Sequence, residues 1–357
     1  MYTLTPTTIN QMLLGATLLA TGGGCTLESK QKAMQELPCS SISILEKADL
    51  KPEQMICTVY GVGPASKKEH DFTKMIQMGA ATVQEYTYGK LVGFFLGELG
   101  AEQLAFQAAV ASGLSVIDAD GTGGRAVPEI VQDMFVLQGK STLPAFVVGS
   151  EGIITTMINK SAEEVEAQVR RIVKQAGSPV LVFDHIIPAS EIDLLNVGSI
   201  KESIRIGSLL QTGGLVAAGF SPRLKRSLPP SPRLRWAGKA TATESKSGIN
   251  TVATGRICTV DLDPADDFLN ISATITNDSD TYTLLGKNEL LVLKKNNKSI
   301  ITCPDLIMLI DQNGNPIHNS KLDEYQGQPV TILTKSAIPQ WQTPIGKKLF
   351  GPERFGL

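Results

Sequence analysis

The sequence predicts an α/β plus β chain, with a parallel α/β sheet in its first half and a barrel or sandwich in its second. Three observations carry this. Residues 91–134 read as strand, alanine-rich helix, strand and helix start, the order that builds parallel sheets with right-handed crossovers. A proline- and arginine-rich segment, 221–236, then changes the composition. Beyond it, short strand patterns alternate with asparagine-rich turns, as in all-β units.

Taken in order, Thr7 or Thr8 can cap a first helix running to about residue 20. It stops at Thr21-Gly22-Gly23-Gly24-Cys25, and Thr26 caps a second helix over 27–37. One glycine would end a helix. Three suggest a backbone that something approaches closely, with amides free for a carboxylate, phosphate or ring oxygen. Gly22, Gly23 and Gly24 are therefore candidate substrate-binding residues. The run is no P-loop, because no Lys-Ser/Thr follows. Residues 41–45 and 55–62 read as strands, and His70 as a solvated loop residue. Strand 91–96 leads to Glu98, and helix 101–112 ends at Gly113. Strand 114–117 then reaches Asp118 and Asp120. Gly121, Gly123 and Gly124 turn the chain beside Arg125, and Pro128-Glu129 open a helix. Ligands of open α/β sheets sit beyond the carboxyl ends of strands, so this end is read as the site. Strands at 145–148 and 153–158, a helix from Ser161 to about 175, a strand at 180–183 ending at Asp184-His185, and a helix at 200–210 complete the first half. The later strands fall at 257–262, 269–276, 290–294 and 331–334.

Composition narrows the function classes. The 357 residues are 42% hydrophobic, 19% charged and 5% aromatic, with net charge −2. That is an ordinary globular profile with room for two or three domains. It favours neither nucleic acid nor an anionic membrane, so 221–236 reads as an exposed loop. No apolar run reaches the ~18 residues of a membrane span. The N-terminus lacks a basic region and reads as part of the fold rather than a signal peptide. Five cysteines without a CxxC pair fit reduced thiols in a cytoplasm.

The chemistry gathers on carboxylates. Asp118, Asp120, Glu98 and His185 are the candidate catalytic residues. Asp118, Asp120 and His185 could also hold a divalent metal, zinc first among them. Without metal, two close carboxyls push their pKa values apart and supply an acid and a base. Arg125 and Glu129 are candidate substrate contacts; the plain alternative for Arg125 is a salt bridge to Asp118 or Asp120 that holds the loop. A helix N-terminus at Cys25 would lower its thiol pKa.

These residues carry a likeness. GLSVIDADGTGGRAVPE (113–129), the helix ending in TGGG, Glu98-Leu99-Gly100-Ala101-Glu102, Asn288-Glu289-Leu290, Pro304-Asp305-Leu306-Ile307 and the terminal GP-x-x-FG resemble the S-methyl-thiohydantoin desulfurase-like family across nearly the whole chain. The resemblance implies an N-terminal three-layer α/β/α domain with a mostly parallel sheet, here 1–165. It implies a C-terminal domain, here 166–357, with a helical entry and a β-barrel-like body. It further implies metal-assisted hydrolysis of a hydantoin- or thiohydantoin-type small molecule. A non-catalytic ligand-binding or partner subunit of a hydantoinase or oxoprolinase system is the alternative, and a homo-oligomer is expected. The chain departs from the family pattern in three places. Cys25 and Thr26 stand where the family has a glycine and an acid, one residue is inserted at Gly123-Gly124, and the family's asparagine position falls near Gln103.

Overall fold

The structure, a computed structural model, describes residues 1–38, 41–63, 70–213, 215, 248–265 and 268–357. Cys39, residues 66–69, Gly214 and the 221–236 segment lie outside them.

A short strand β1 (Tyr2–Thr3) precedes helix α1 (Pro6–Leu19). Thr5, not Thr7 or Thr8, caps α1, because Pro6 takes the first helical position, where its missing N–H costs nothing. Thr26 caps α2 (Leu27–Gln35) as expected. Strands β2 (Ser43–Leu45) and β3 (Met55–Val62), helix α3 (Thr73–Tyr86), strand β4 (Leu91–Leu96), helix α4 (Gln103–Ser112) and strand β5 (Ser115–Asp120) follow. Helix α3 is additional to the expected elements. Past β5 the chain does not enter a helix at Pro128-Glu129. It turns until Asp133 caps the single turn α5 (Met134–Leu137). Strands β6 (Ala145–Val148) and β7 (Ile154–Met157), helix α6 (Ala162–Ala176), strands β8 (Val180–Pro188) and β9 (Asn196–Val197), and helix α7 (Ser199–Gln211) complete this part.

These nine strands form one sheet, ordered β1-β2-β5-β4-β3-β8-β6-β7 with β9 on β5. The sheet is mixed rather than mostly parallel. Only the pairs β2-β5, β5-β4 and β4-β3 are parallel. Parallel pairs need long crossovers, whereas the tight turn at Gly149–Gly152 makes β6 and β7 a hairpin. Helix α6 then returns the chain to β8, antiparallel to β3 and β6. Alternation along β3 shows the layers. Cys57 and Val59 join the core under α3 and α4, while Val62 joins Val165, Val169 and Val173 of α6 on the opposite face.

The second sheet is wholly antiparallel. It contains β10 (Ile249–Ala265), β11 (Phe268–Thr276), β12 (Thr281–Lys287), β13 (Glu289–Lys295), β14 (Lys298–Thr302), β15 (Leu306–Asp311) and β16 (Pro329–Lys335). Its order is β14-β13-β12-β11-β10-β16-β15. The sheet curls until β13 comes to lie beside β15, a half-barrel around Ile271, Ile275, Leu284, Leu293 and Ile332. Helix α8 (Pro344–Phe350) ends the chain against the first part. Among the described residues no helix is long and apolar enough to cross a membrane.

Two junctions fix the fold, one within the first part and one between the parts. Helices α1 and α7 meet backbone to backbone: a Cβ on Gly15 would land in the Ser203 carbonyl, and one on Gly207 in the Gln11 carbonyl. The β5 loop is sealed from the other side, where buried Trp341 donates its Nε1–H to the Thr122 carbonyl at 2.9 Å.

Candidate functional site

A cleft of about 570 Å³ opens where the carboxyl ends of β3 and β4 meet the start of α2 and the first residues of β13. The strand-end position follows from the α/β topology. The half-barrel closes one wall with Asn288 and Glu289. Both parts of the chain therefore build the cavity.

Glu98 borders this cleft, in the loop after β4. Its Oε2 accepts from the Val127 amide at 3.0 Å. Burial pushes the carboxyl up to about 8. The Val127 amide opposes this shift, while the neighbouring Glu102 and Asp120 charges reinforce it. A carboxyl poised near neutrality at a cavity wall can take or give a proton. Glu289 faces the same space, 2% exposed. Burial, and then the Glu98 charge, drive it well above the usual carboxylate range, against the pull of Arg125 and Arg170.

Asp118 and Asp120 are spent on structure. Asp118 Oδ1 accepts from the Ile200 amide at 2.7 Å and Oδ2 from the Tyr2 hydroxyl at 3.0 Å. These bonds tie β5 to α7 and β1. Asp120 Oδ1 accepts from the Thr122 and Gly124 amides, each at 2.9 Å, and Oδ2 from Asn196 at 2.6 Å. The second acid thus folds the glycine loop. Burial raises both above the ordinary range, the hydrogen bonds only partly offsetting it. Neither is among the residues that border the cleft, although Gly121 and Thr122 are.

His185 does border it. The residue sits at φ +46°, an uncommon conformation for a non-glycine residue. This presents Nδ1 to Asp184 Oδ1 at 2.7 Å and Nε2 to Asp133 Oδ1 at 3.1 Å. Phe95 and Phe135 pack against the ring at right angles. Burial alone would lower its pKa, but the two carboxylates outweigh it and push it up to about 10. At neutral pH it is an imidazolium donating from both nitrogens. Tyr60 extends the chain, its hydroxyl donating to Asp184 Oδ2 at 2.9 Å.

The expected metal set is not assembled. Asp118, Asp120 and His185 each face separate partners. Among the described residues no three His, Cys, Asp or Glu side chains converge to hold an ion.

Arg125 holds the two parts of the chain together. It is fully buried, lies 4.3 Å from the Phe350 ring centre, and donates to the Pro304 and Ala126 carbonyls. It is not among the cleft residues, and it pairs with neither Asp118 nor Asp120. Burial brings its pKa down to about 10. Glu129 does line the cleft, yet its carboxylate is engaged by Arg354 and by Gln132 at 2.6 Å.

The glycine run is approached closely, but by protein. Asn319 donates its backbone amide to the Gly22 carbonyl at 2.8 Å and its side chain to the Thr21 and Asn288 carbonyls. A Cβ on Gly23 would land in the Glu289 carboxyl, and one on Gly24 would lie 2.5 Å from the Gly100 carbonyl oxygen. His318 donates Nε2–H to the Gly24 carbonyl at 3.0 Å, and burial lowers its pKa to about 4, keeping it neutral. Only Gly24 of the three borders the cleft. The amides of Gly23 and Cys25 already serve the Ala20 and Gly100 carbonyls. Cys25 lies at the cleft with its thiol pKa raised, not lowered, because burial outweighs the Gln103 hydrogen bond and nearby Lys30. Gln103 Nε2 donates to its sulfur at 3.1 Å.

Gln103, Tyr60 and Asp133 gained no role from the sequence reading, and Glu289 appeared there only inside a motif. For Glu289 one signal was present: an acid directly before the apolar run 290–293 has no solvated place on a buried strand.

Comparison with known proteins follows this geometry. The S-Me-THD-like N-terminal domain model matches residues 7–159 and the S-Me-THD-like C-terminal domain model residues 160–357. No curated protein matches the chain. A crystal structure of a protein from Chromobacterium violaceum is similar, with a TM-score of 0.76 over 100% of this chain and 97% of that one. At 18% identity, that likeness shows the fold alone.

Proposed function

The chain belongs to the S-Me-THD-like family, and on that footing we propose that it hydrolyses a small cyclic amide or thioamide of hydantoin or thiohydantoin type. The observation that carries this reading is Glu98, a carboxyl held near pKa 8 at the wall of a cleft of ligand size. Ionised Glu98 takes a proton from water as its oxygen bonds to the ring carbon bearing the sulfur or amide nitrogen. The neutral carboxyl returns the proton to the departing sulfur or nitrogen. A thiohydantoin substituted at sulfur gives the hydantoin and a thiol; a cyclic amide gives its ring-opened acid. Imidazolium His185 supplies positive charge near the oxyanion. No step runs through a metal.

The test is incubation of purified protein with a panel of hydantoins and thiohydantoins, with and without chelator, read by chromatography. Turnover that falls at least a hundredfold in Glu98→Gln supports the assignment. No turnover of any member with any added metal sinks the substrate class.

A second reading is favoured by one observation. Asp118, Asp120, Asp133 and His185 all have structural partners, as a ligand-binding or partner subunit would allow. A pulldown from native cells that recovers a hydantoinase- or oxoprolinase-type enzyme, with no turnover alone, supports that reading.

A further inference from the structure

Two buried oxygens at the cleft wall have no hydrogen-bond partner, Glu289 Oε2 and Gln103 Oε1. Their residues are 2% and 3% exposed, and both border the cavity. They flank one short strip of backbone. The Glu289 carboxyl presses on Gly23, and the Gln103 amide donates to Cys25 Sγ at 3.1 Å. That bond uses the Gln103 nitrogen and leaves its oxygen over.

We propose that Glu289 and Gln103, one from each part of the chain, form a two-point edge that receives the adjacent C=O and N–H of a cyclic amide. The inference rests on the hydantoin-type reading for the class of ligand, not for any reaction done on it. Gln103 Oε1 is an acceptor without a donor, and a ring N–H supplies one. Burial and the Glu98 charge drive Glu289 well above the usual carboxylate range, which favours the protonated form, and that form donates its O–H to a ring oxygen. A ring holds its C=O and N–H on one side, whereas an open-chain secondary amide holds them trans. The edge therefore selects rings with an unsubstituted nitrogen. Cys25 is a positioning residue here, because its sulfur orients the amide.

Calorimetric titration of the full chain tests this, with hydantoin, 1-methylhydantoin, 3-methylhydantoin and the open-chain secondary amide N-methylacetamide as probes. Hydantoin is expected to bind at least about tenfold more tightly than one of its methyl derivatives and than N-methylacetamide. In Gln103→Leu that discrimination disappears. Cys25→Ala weakens hydantoin severalfold, and Cys25→Ser, which retains an acceptor, restores it. Equal binding of hydantoin and both methyl derivatives within twofold, or no binding of any probe, overturns the proposal. If Gln103→Leu fails to fold, the ligand series on the unaltered protein decides the matter. Selective binding without turnover would sink the hydrolase reading and leave this edge standing. Turnover without discrimination would do the reverse.

Discussion

At the scale of single residues, the site is governed by which charges keep their protons. Glu98 carries a folded pKa of about 8 against an ordinary value near 4.5, so the folded state binds the extra proton between those limits. Stability is therefore lost as pH rises through that window, by an amount on the order of a few kcal/mol. Glu98→Gln should remove the slope: its Tm, measured from pH 5 to 8, should fall less than that of the parent. His185 acts in the same sense, in a higher pH window. Its folded pKa of about 10 lies above the ordinary 6.5, so its contribution is full below pH 6.5 and lost as pH climbs through 10. His185→Gln leaves Asp133 and Asp184 without their shared cation and should cost about 3–5 kcal/mol at pH 7, read by urea denaturation. The sequence made some of this legible. Glu98 follows a strand end as read, whereas β8 runs on to Pro188 and His185 sits at an irregularity within it; both reach the cavity. Asp118 and Asp120 looked equally functional, because a strand-end DxD turn has one spelling whether its oxygens face a ligand or backbone amides. Only the coordinates show those lone pairs consumed by Ile200, Thr122 and Gly124.

At the scale of elements, close backbone approaches set the tolerances. Gly207→Ala would ordinarily favour a helix by nearly 1 kcal/mol. Here its Cβ meets the Gln11 carbonyl, so the helices must separate. The variant should lose about 1–3 kcal/mol, seen as a lower urea midpoint. Gly24→Ala combines φ +74° with a Cβ 2.5 Å from the Gly100 carbonyl oxygen, and should be worse tolerated than Gly113→Ala, which meets nothing within 4 Å. Side-by-side thermal melts decide that order. Strand bounds were easy to read where apolar runs end abruptly: β3, β4 and β6 fall at the expected limits. Helix α3 and the expected helix at 128–129 failed for different reasons. The first has its buried face interrupted by Gly79, which packs against Phe183, and so gives no continuous apolar stripe. The second was inferred from Pro128, but Asp133 supplies the cap. Parallel versus antiparallel pairing was not legible either, since strand direction is fixed by connections and neighbours rather than by the strand's own residues.

At the scale of the whole molecule, the cavity exists because the half-barrel is locked onto the glycine turn. Asn319→Leu would strip donors from the Thr21 and Asn288 carbonyls and should destabilise by about 2 kcal/mol or more. Amide exchange in residues 21–25 should quicken with it, which mass spectrometry resolves. The division into an α/β part and a β-rich part could be read from the composition change near 221–236. The interlock could not, because Thr21 and Asn319 carry no shared local pattern across nearly the full length of the chain.

That interlock also sets an order of assembly. Helix α1 is made well before α7, yet its groove waits for that helix. The glycine turn waits for Asn319, and Arg125 waits for Pro304 and Phe350. Completion of the first half is thus deferred until Asn319 and Phe350 are made. Contacts this distant in sequence make for slow maturation, with apolar surface left uncovered until the half-barrel docks.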